Sequence, residues 1–348
     1  MNGINIINAI IKTTDCLKDL SEVTKENMTQ VGKLIIQDQD RRNAFLNKLT
    51  NRICLQEVIS NPAFKNPLEH FKSGSVPFGE YKQSLYTNPA QEESYDMKST
   101  DLLKIKNPDV KAVYFGTLRQ SKYPVSVNLV MLQQAFTGDK GFNQLVSSIS
   151  SSLISGDNID EFNLMKNLLV NAYKNSRVII IEIDGATEKE KLENLVIAIN
   201  TFSGNLTMAT TQYSPYNLVY KAEIEAGTET PCKIWTPKEF QSLIMTNEVN
   251  STMGVRTFSG MFNKEYAKIE PKKFFVDGFG DTDATAFLID DRFFSVEDIF
   301  ESTGNFTNED NLTFKTIRHH FQRYGYNIIA NAIAFRFKNS QQTTNGQA

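Results

Sequence analysis

Asn61 to Lys98 reads NPAFKNPLEHFKSGSVPFGEYKQSLYTNPAQEESYDMK, and the organisation of the chain turns on it. It holds Pro62, Pro67, Pro77 and Pro89, four of the ten prolines in the sequence. Each removes a backbone donor and pushes the residue before it to an extended conformation, so no long helix can run through. Gly74 and Gly79 supply turn positions. Phe64, Phe71, Phe78, Tyr81, Tyr86 and Tyr95 are interleaved with these breakers. Disordered segments are poor in aromatics, and long loops inside compact domains are commonly functional. The stretch therefore predicts an extended loop that packs on a surface, either its own subunit's or another's.

Upstream of the loop, apolar residues recur at helical spacing. Ile4, Ile7 and Ile11 share a stripe, Met28, Val31 and Ile35 form a second, and Phe45, Leu49 and Ile53 a third, extended by Leu55 and Ile59. Downstream the pattern is mixed. Val110 to Leu118 reads as a strand, and Val125 to Phe136 as a strand passing into a helix. Phe142, Leu145, Ile149 and Leu153 form a clean helical stripe. Gly156 is expected to close that helix and Asp157 to cap the next, which carries Phe162, Met165, Leu168 and Leu169. Arg177 to Ile183 reads as a buried strand, and Thr187 with Glu190 as a capping box opening another helix. Met253 to Phe262 looks helical. Lys273 to Val276, Ala284 to Asp290 and Phe293 to Ser295 read as strands, Val296 to Phe300 as a short helix, and Tyr326 to Lys338 as a strand. This order has no regular βαβ run, so the expected class is α+β.

Composition narrows the function. The 348 residues suggest about two domains at roughly 150 residues each. Lys and Arg number 37 against 40 Asp and Glu, a net charge of −3, with none of the basic excess of a free-standing nucleic-acid binder. The three cysteines, Cys16, Cys54 and Cys232, are too few for a disulfide scaffold and fit a reducing compartment. Cys54 sits in a helical apolar stripe, as a small buried hydrophobe would. No signal peptide is expected at the start, and Val178 to Ile181, the tightest apolar run, is far short of the ~18 residues a membrane span needs. Together these features imply a soluble intracellular product.

The search for chemistry returns little. Gly32-Lys33 has Asn at position 27, so the phosphate-loop pattern fails, and Gly278-Phe279-Gly280 meets Asp283 where a dinucleotide loop needs a third glycine. Asp277, Asp281, Asp283, Asp290 and Asp291 make 277–291 the best metal candidate. Counting twelve from Asp277 or Asp281, however, reaches Leu288 or Arg292 rather than the Glu of a calcium loop. A turn with solvated acids is the plainer reading. His70, His319 and His320 match no zinc spacing and read as ordinary polar residues. No catalytic residue, cofactor or metal is expected. Lys315, Arg318, Arg323, Arg336 and Lys338 give the late segment +5 with no acid, while 272–301 carries −5. These are either solvated faces, complementary surfaces between subunits, or a basic face toward a polyanion.

The order of parts resembles a tailed-bacteriophage major capsid protein of the Hong Kong 97 fold, with the small protein-primed podoviruses as the nearest group. The loop at Asn61 to Lys98 follows a helical N-terminal region. A long helix starting at Gly141-Phe142 resembles the spine helix, and Gly156-Asp157-Asn158-Ile159-Asp160-Glu161-Phe162-Asn163-Leu164-Met165-Lys166 the peripheral-domain segment after it. Ala284 to Phe300 is similar to a stretch of the axial domain, and Tyr324-Gly325-Tyr326-Asn327 through Asn331-Ala332-Ile333-Ala334-Phe335 to the closing strand. The resemblance implies an N-terminal helical arm at 1–60, the extended loop at 61–100 and a peripheral domain with its spine helix at 101–176. It further implies an axial domain at 177–312, a segment returning to the peripheral domain at 313–338 and a polar tail at 339–348.

It implies no enzyme. The expected product is a head protein that assembles with itself as pentamers and hexamers into a shell around double-stranded DNA. Scaffolding, portal and head-fibre proteins are further expected partners, with no membrane. The expected place is the virion capsid, after assembly in the host bacterial cytoplasm. Phe71, Phe78, Tyr81 and Tyr86 are the candidate inter-subunit anchors of the loop, because interface energy concentrates in aromatics. Lys315, Arg318, Arg323, Arg336 and Lys338 are candidates for facing the genome or a neighbour. The alternatives are an encapsulin-like cellular compartment and, less favoured, a metal-dependent enzyme using 277–291. Some relatives link a lysine to an asparagine covalently, but no such pair is assignable here.

Overall fold

A computed structural model describes residues 3–53, 63–77, 82–92, 105–128, 132–133, 135–136, 139–256, 269–308 and 313–338. Cys54, Leu55, Ile59, Phe78, Tyr81, Tyr95, residues 257–262 and the tail 339–348 lie outside them. The three upstream stripes form α1 (Gly3–Thr13), α2 (Met28–Gln37) and α3 (Gln39–Ile53). They pack on their own chain. Ile7, Ile10, Ile35 and Phe45 are sealed into one core with Phe136, Leu145, Ile149 and Leu153. Gly32 is the point of closest approach, because a Cβ there would stand 2.7 Å from the Phe136 ring.

Leu145, Ile149 and Leu153 belong to α4 (Asp139–Lys174), a single helix of 36 residues. Gly156 does not close it and Asp157 caps nothing; both lie in its middle. A glycine inside a helix costs only about 1 kcal/mol relative to alanine. Contacts on both sides of Gly156 outweigh that. Leu145, Ile149, Leu153, Asp157, Glu161, Met165, Leu169 and Tyr173 recur every four residues, and all are buried. A four-residue repeat on a 3.6-residue helix drifts by ~40° per step. The stripe therefore winds around the helix and serves two cores in turn. Its first half meets the N-terminal helices, and its second half, with Phe162 and Leu168, meets a sheet.

That sheet has the order β5-β11-β8-β6-β7, from β5 (Ile179–Ile183), β6 (Gln241–Thr246), β7 (Lys272–Val276), β8 (Ala284–Asp290) and β11 (Ala332–Phe337). Alternate residues face opposite ways. Ile244, Phe287, Ile289 and Ala334 meet α4, while Leu243, Met245, Leu288 and Phe335 meet α5 (Glu188–Leu206) on the other side. The capping box forms at the start of α5: the Glu190 amide donates to Thr187 Oγ1 at 3.2 Å, and Ala186 N to Glu190 Oε2 at 2.9 Å. The closing strand β11 lies between β5 and β8, among the strands of 177–312.

A second sheet has the order β1-β9-β10-β4, from β1 (Lys72–Ser75), β4 (Thr117–Asn128), β9 (Phe294–Asn308) and β10 (Thr313–Tyr326). Val296 to Phe300 is thus strand, not the expected short helix: Val296 pairs with Tyr324 and Phe300 with Phe321. Cross-strand pairing with a distant segment overrides the local pattern. β2 (Lys82–Thr87) and β3 (Val110–Phe115) form a separate antiparallel hairpin. Between α5 and β6, the short helices Pro215–Val219 and Lys221–Glu225 lead into the segment on which this hairpin rests. The helix expected from Met253 begins six residues earlier, as Asn247–Arg256.

Candidate assembly surface

The extended loop leaves the body at two feet and carries the β2–β3 hairpin between them. Its incoming limb lies along α4. Phe64 N donates to Ser155 Oγ at 3.0 Å, Asn158 Nδ2 to Phe64 O at 2.7 Å, and Asn66 Nδ2 to Glu161 Oε1 at 2.7 Å. Phe71 is buried against Phe274 and Phe294, with ring centroids 4.8 and 4.9 Å away, so its side chain is spent on its own subunit. β1 then pairs in parallel with β9.

The inner face of the hairpin rests on residues 216–234. Tyr86 OH donates to Lys233 O at 2.5 Å. Asn88 Nδ2 donates to Asp109 Oδ2 at 2.6 Å and to Pro231 O at 3.1 Å. Lys111, 5% exposed, reaches Asp109 at 2.9 Å, Thr230 Oγ1 at 2.7 Å and Glu229. Burial pulls the Lys111 pKa down, but Glu229 and Asp109 outweigh it and hold the ammonium above its ordinary value. Beneath it, burial pushes the Cys232 thiol up to about 12, which leaves no reactive thiolate. The outer face of the hairpin is different. Leu85 is 64% and Tyr114 70% exposed, with Val110 and Ala112 beside them on the same side. This apolar face has no cover within the described residues.

At the feet stands a buried ion network that sequence spacing did not reveal. Asp157, nearly fully buried, accepts from His320 Nδ1 at 2.7 Å, Arg318 Nη2 at 3.1 Å and Arg119 Nη2 at 3.3 Å. His320 Nε2 lies 3.0 Å from Asp298 Oδ1. Lys72 Nζ is 2.9 Å from both Glu161 Oε2 and Asp298 Oδ2. Gln322 Nε2 donates to Glu161 at 2.5 Å and to Asp298 at 2.8 Å. Burial pulls the His320 pKa down, but its bonds to Asp157 and Asp298 prevail and push it up to about 9. Burial opposes ionisation of Asp157 and Asp298 too, yet hydrogen bonds from His320 hold both carboxyls below their usual range. The only sequence hint was the four-residue stripe continuing through Asp157 and Glu161.

Glu161, Asp298 and His320 converge closely enough to suggest a metal site. The Lys72 ammonium already supplies the cation there, bonded to both carboxylates. The 277–291 acids do not converge. Asp277 pairs with Lys166 at 2.6 Å, Asp283 accepts from Tyr173 OH at 2.5 Å, Asp290 from Thr236 Oγ1 at 2.7 Å, and Asp291 lies 2.9 Å from Lys272. Asp281 points into solvent.

The five basic candidates are divided as well. Arg318 pairs with Asp157 and Glu301, Arg336 with Glu182 and Asp283, and Lys338 with Asp184 at 3.2 Å. Arg323 is buried, opposite Glu297 in the β9–β10 register. Lys315 lies on the β10 face away from α4, across from Phe306 and Ser126, with no ion pair among the described residues.

A family model described as Phi29-like phage major capsid protein matches residues 6–336. The chain is 25% identical to the major capsid protein of Bacillus phage B103 over 95% of its own length and 72% of that protein. It is 24% identical to that of Streptococcus phage Cp-1, over 84% of this chain and 82% of the other. Among solved structures, the capsid of Staphylococcus phage Andhra superposes with a TM-score of 0.63 at 12% identity, covering 82% of this chain and 87% of that one. The fold is that of a phage capsid protein.

Proposed function

We infer the working parts of this chain from one premise: it belongs to the Phi29-like phage major capsid proteins. It is a major capsid protein, a structural component of the virion capsid that assembles with itself into the shell. Neither the encapsulin-like compartment nor the metal-dependent enzyme is favoured. No described helix is long and apolar enough to cross a membrane.

The finer reading is our own. The shell is built from pentamers and hexamers, encloses double-stranded DNA, assembles in the host bacterial cytoplasm, and engages scaffolding, portal and head-fibre proteins. The extended loop 61–100, with the hairpin that continues it, contacts the neighbouring subunit. The uncovered Leu85–Tyr114 face supports this, because many copies joined through modest apolar contacts bind strongly in sum. Tyr86 stiffens the hairpin from below, while Phe78 and Tyr81 serve as anchors at its start. The helices of 1–60 act as a brace under 101–176, consistent with their packing on α4. The pairing of β11 supports adding 332–337 to the axial domain at 177–312 and leaving 313–331 with the peripheral one. Among the basic candidates Lys315 is best placed to meet DNA or a neighbour; Arg318, Arg323, Arg336 and Lys338 serve the subunit first.

Negative-stain microscopy of purified protein, with and without a scaffolding partner, tests this reading. Shells, capsomers or tubes are expected from the wild type. Phe78→Ala with Tyr81→Ala should abolish them while circular dichroism stays unchanged. A stable monomer under every assembly condition would sink the reading, and equal loss of dichroism would place the two rings in the subunit's own core.

A further inference from the structure

The two feet of the extended loop stand in one buried network. Lys72, in β1, enters it where the loop leaves the body, and Arg119, in β4, where the loop returns. Lys72 is held by Glu161 and Arg119 by Asp157, one helical turn apart on α4. His320 and Gln322 of β10, with Asp298 of β9, fill the space between. Between the feet the hairpin is fastened once more, on residues 216–234, through Tyr86, Asn88 and Lys111. Gly116, which joins β3 to β4, has nothing within 4 Å of the place a Cβ would occupy.

We propose that this network is a clamp that aims the extended loop, with His320 as the positioning residue that sets the spacing between the feet. The proposal rests on the reading that the loop contacts a neighbour. Directional bonds carry the argument. An apolar contact tolerates sliding, whereas a network of directional charged bonds specifies one geometry, even with Arg318 Nε left without a hydrogen bond here. Both imidazole nitrogens of His320 face carboxylates, Asp157 on one side and Asp298 on the other. A neutral imidazole has one N–H donor, so only the imidazolium can donate to both.

The surrounding charge agrees. Asp157 and Glu161 of α4, and Asp298 and Glu301 of β9, are four carboxylates. Lys72 of β1, Arg119 of β4, and Arg318 and His320 of β10 are four cations, so the set balances when His320 is charged. Glu297 and Arg323 add one of each sign, and Tyr123 of β4 ties Asp160 to the edge of the set. Alkaline neutralisation of His320 leaves an acid excess and removes one of its two donors. The clamp then loosens at the feet, and the hairpin is held through residues 216–234 alone.

Amide hydrogen exchange on the full-length unassembled subunit tests this, near neutral pH and at about pH 10, with rates corrected for intrinsic exchange. In the wild type, exchange of the β2–β3 hairpin should quicken about tenfold at the higher pH while the β5–β11 sheet keeps its protection. His320→Gln should show the faster hairpin exchange at both pH values, erasing the pH dependence. Should that variant fail to fold, Lys72→Met, at the partly open edge of the network, should quicken hairpin exchange at neutral pH while keeping the pH dependence that His320 carries. Hairpin protection unchanged in the variant, with the wild-type pH profile intact, would overturn the clamp. So would protection lost equally over the whole chain, or failure of both variants to fold. Assembly yield, read by sedimentation, separates the two ideas. If the hairpin loosens but shells form as before, the clamp stands and the neighbour-contacting role of the loop falls.

Discussion

Asp277, Asp281, Asp283, Asp290 and Asp291 are crowded in sequence and dispersed in space. Asp157, Glu161 and Asp298, with Lys72, Arg119, Arg318 and His320, are dispersed in sequence and gathered in space. The first group lies in and around a turn, where neighbours point different ways and each acid finds its own partner or water. The second lies at the seam between two cores. Removal from water there is tolerable only if every charge meets an opposite one. Sequence density of like charge is thus a poor guide to a site. Acids at helical spacing within an apolar stripe are a better one, because the stripe reports burial.

The largest expected effect that separates the two groups is at Asp157. Asp157→Ala leaves Arg119, Arg318 and His320 in a buried space without their shared acceptor, and should cost about 3–5 kcal/mol. Urea unfolding of the unassembled subunit measures it; a loss below about 1 kcal/mol would mean water reaches the seam.

Next is the pH dependence. The folded pKa of His320 is raised from 6.5 to about 9, so its contribution is complete below 6.5 and lost as pH rises through about 9. A shift of that size is on the order of 3 kcal/mol, shared with the two aspartates it bonds. Asp157 and Asp298 are shifted down, so theirs is present above the usual carboxylate pKa and fades only as pH falls through the lower folded values. Stability should hold from mildly acid to neutral pH and then fall toward pH 9. In His320→Gln the alkaline slope should be missing; an identical slope would show that other groups cause it.

Gly156→Ala probes the helix between the two cores. Its Cβ would meet the Tyr123 ring at 3.4 Å, an ordinary contact, so the change should stabilise by roughly 0.5–1 kcal/mol. A lower unfolding temperature would point to a bend in α4 that needs glycine. The smallest effect belongs to the acidic turn. Asp281→Asn should leave the unfolding midpoint where it was, and calorimetric titration with Mg²⁺ or Ca²⁺ should give no saturable heat.

Much of the frame was legible. Helical stripes at Ile4–Ile11, Met28–Ile35 and Leu145–Leu153, the Thr187–Glu190 capping box, and the strands at 179–183 and 284–290 all rest on contacts within a few residues. The clustered prolines kept long helix out of the described parts of 61–98, where one 3-10 turn, Glu69–Phe71, occurs. Three readings failed for one kind of reason. Gly156-Asp157 looked like a stop because local propensity favours one, but Asp157 is worth more to Arg119, Arg318 and His320 than as a cap. Val296 to Phe300 looked helical until β10 paired with it. His320 looked ordinary because its two aspartates come from α4 and β9.

The sequence by itself determined the N-terminal helices, the Thr187–Glu190 helix start, the strands at 179–183 and 284–290, and the order of parts that marks a phage capsid protein. Tertiary structure decided that α4 is continuous, that Phe71 turns inward, that the acids of 277–291 part company, and that both feet of the loop bind carboxylates shared with His320. The physical reason is one of scale. Local preferences differ by about 1 kcal/mol, whereas buried charges and core side chains brought together from distant segments weigh several times that.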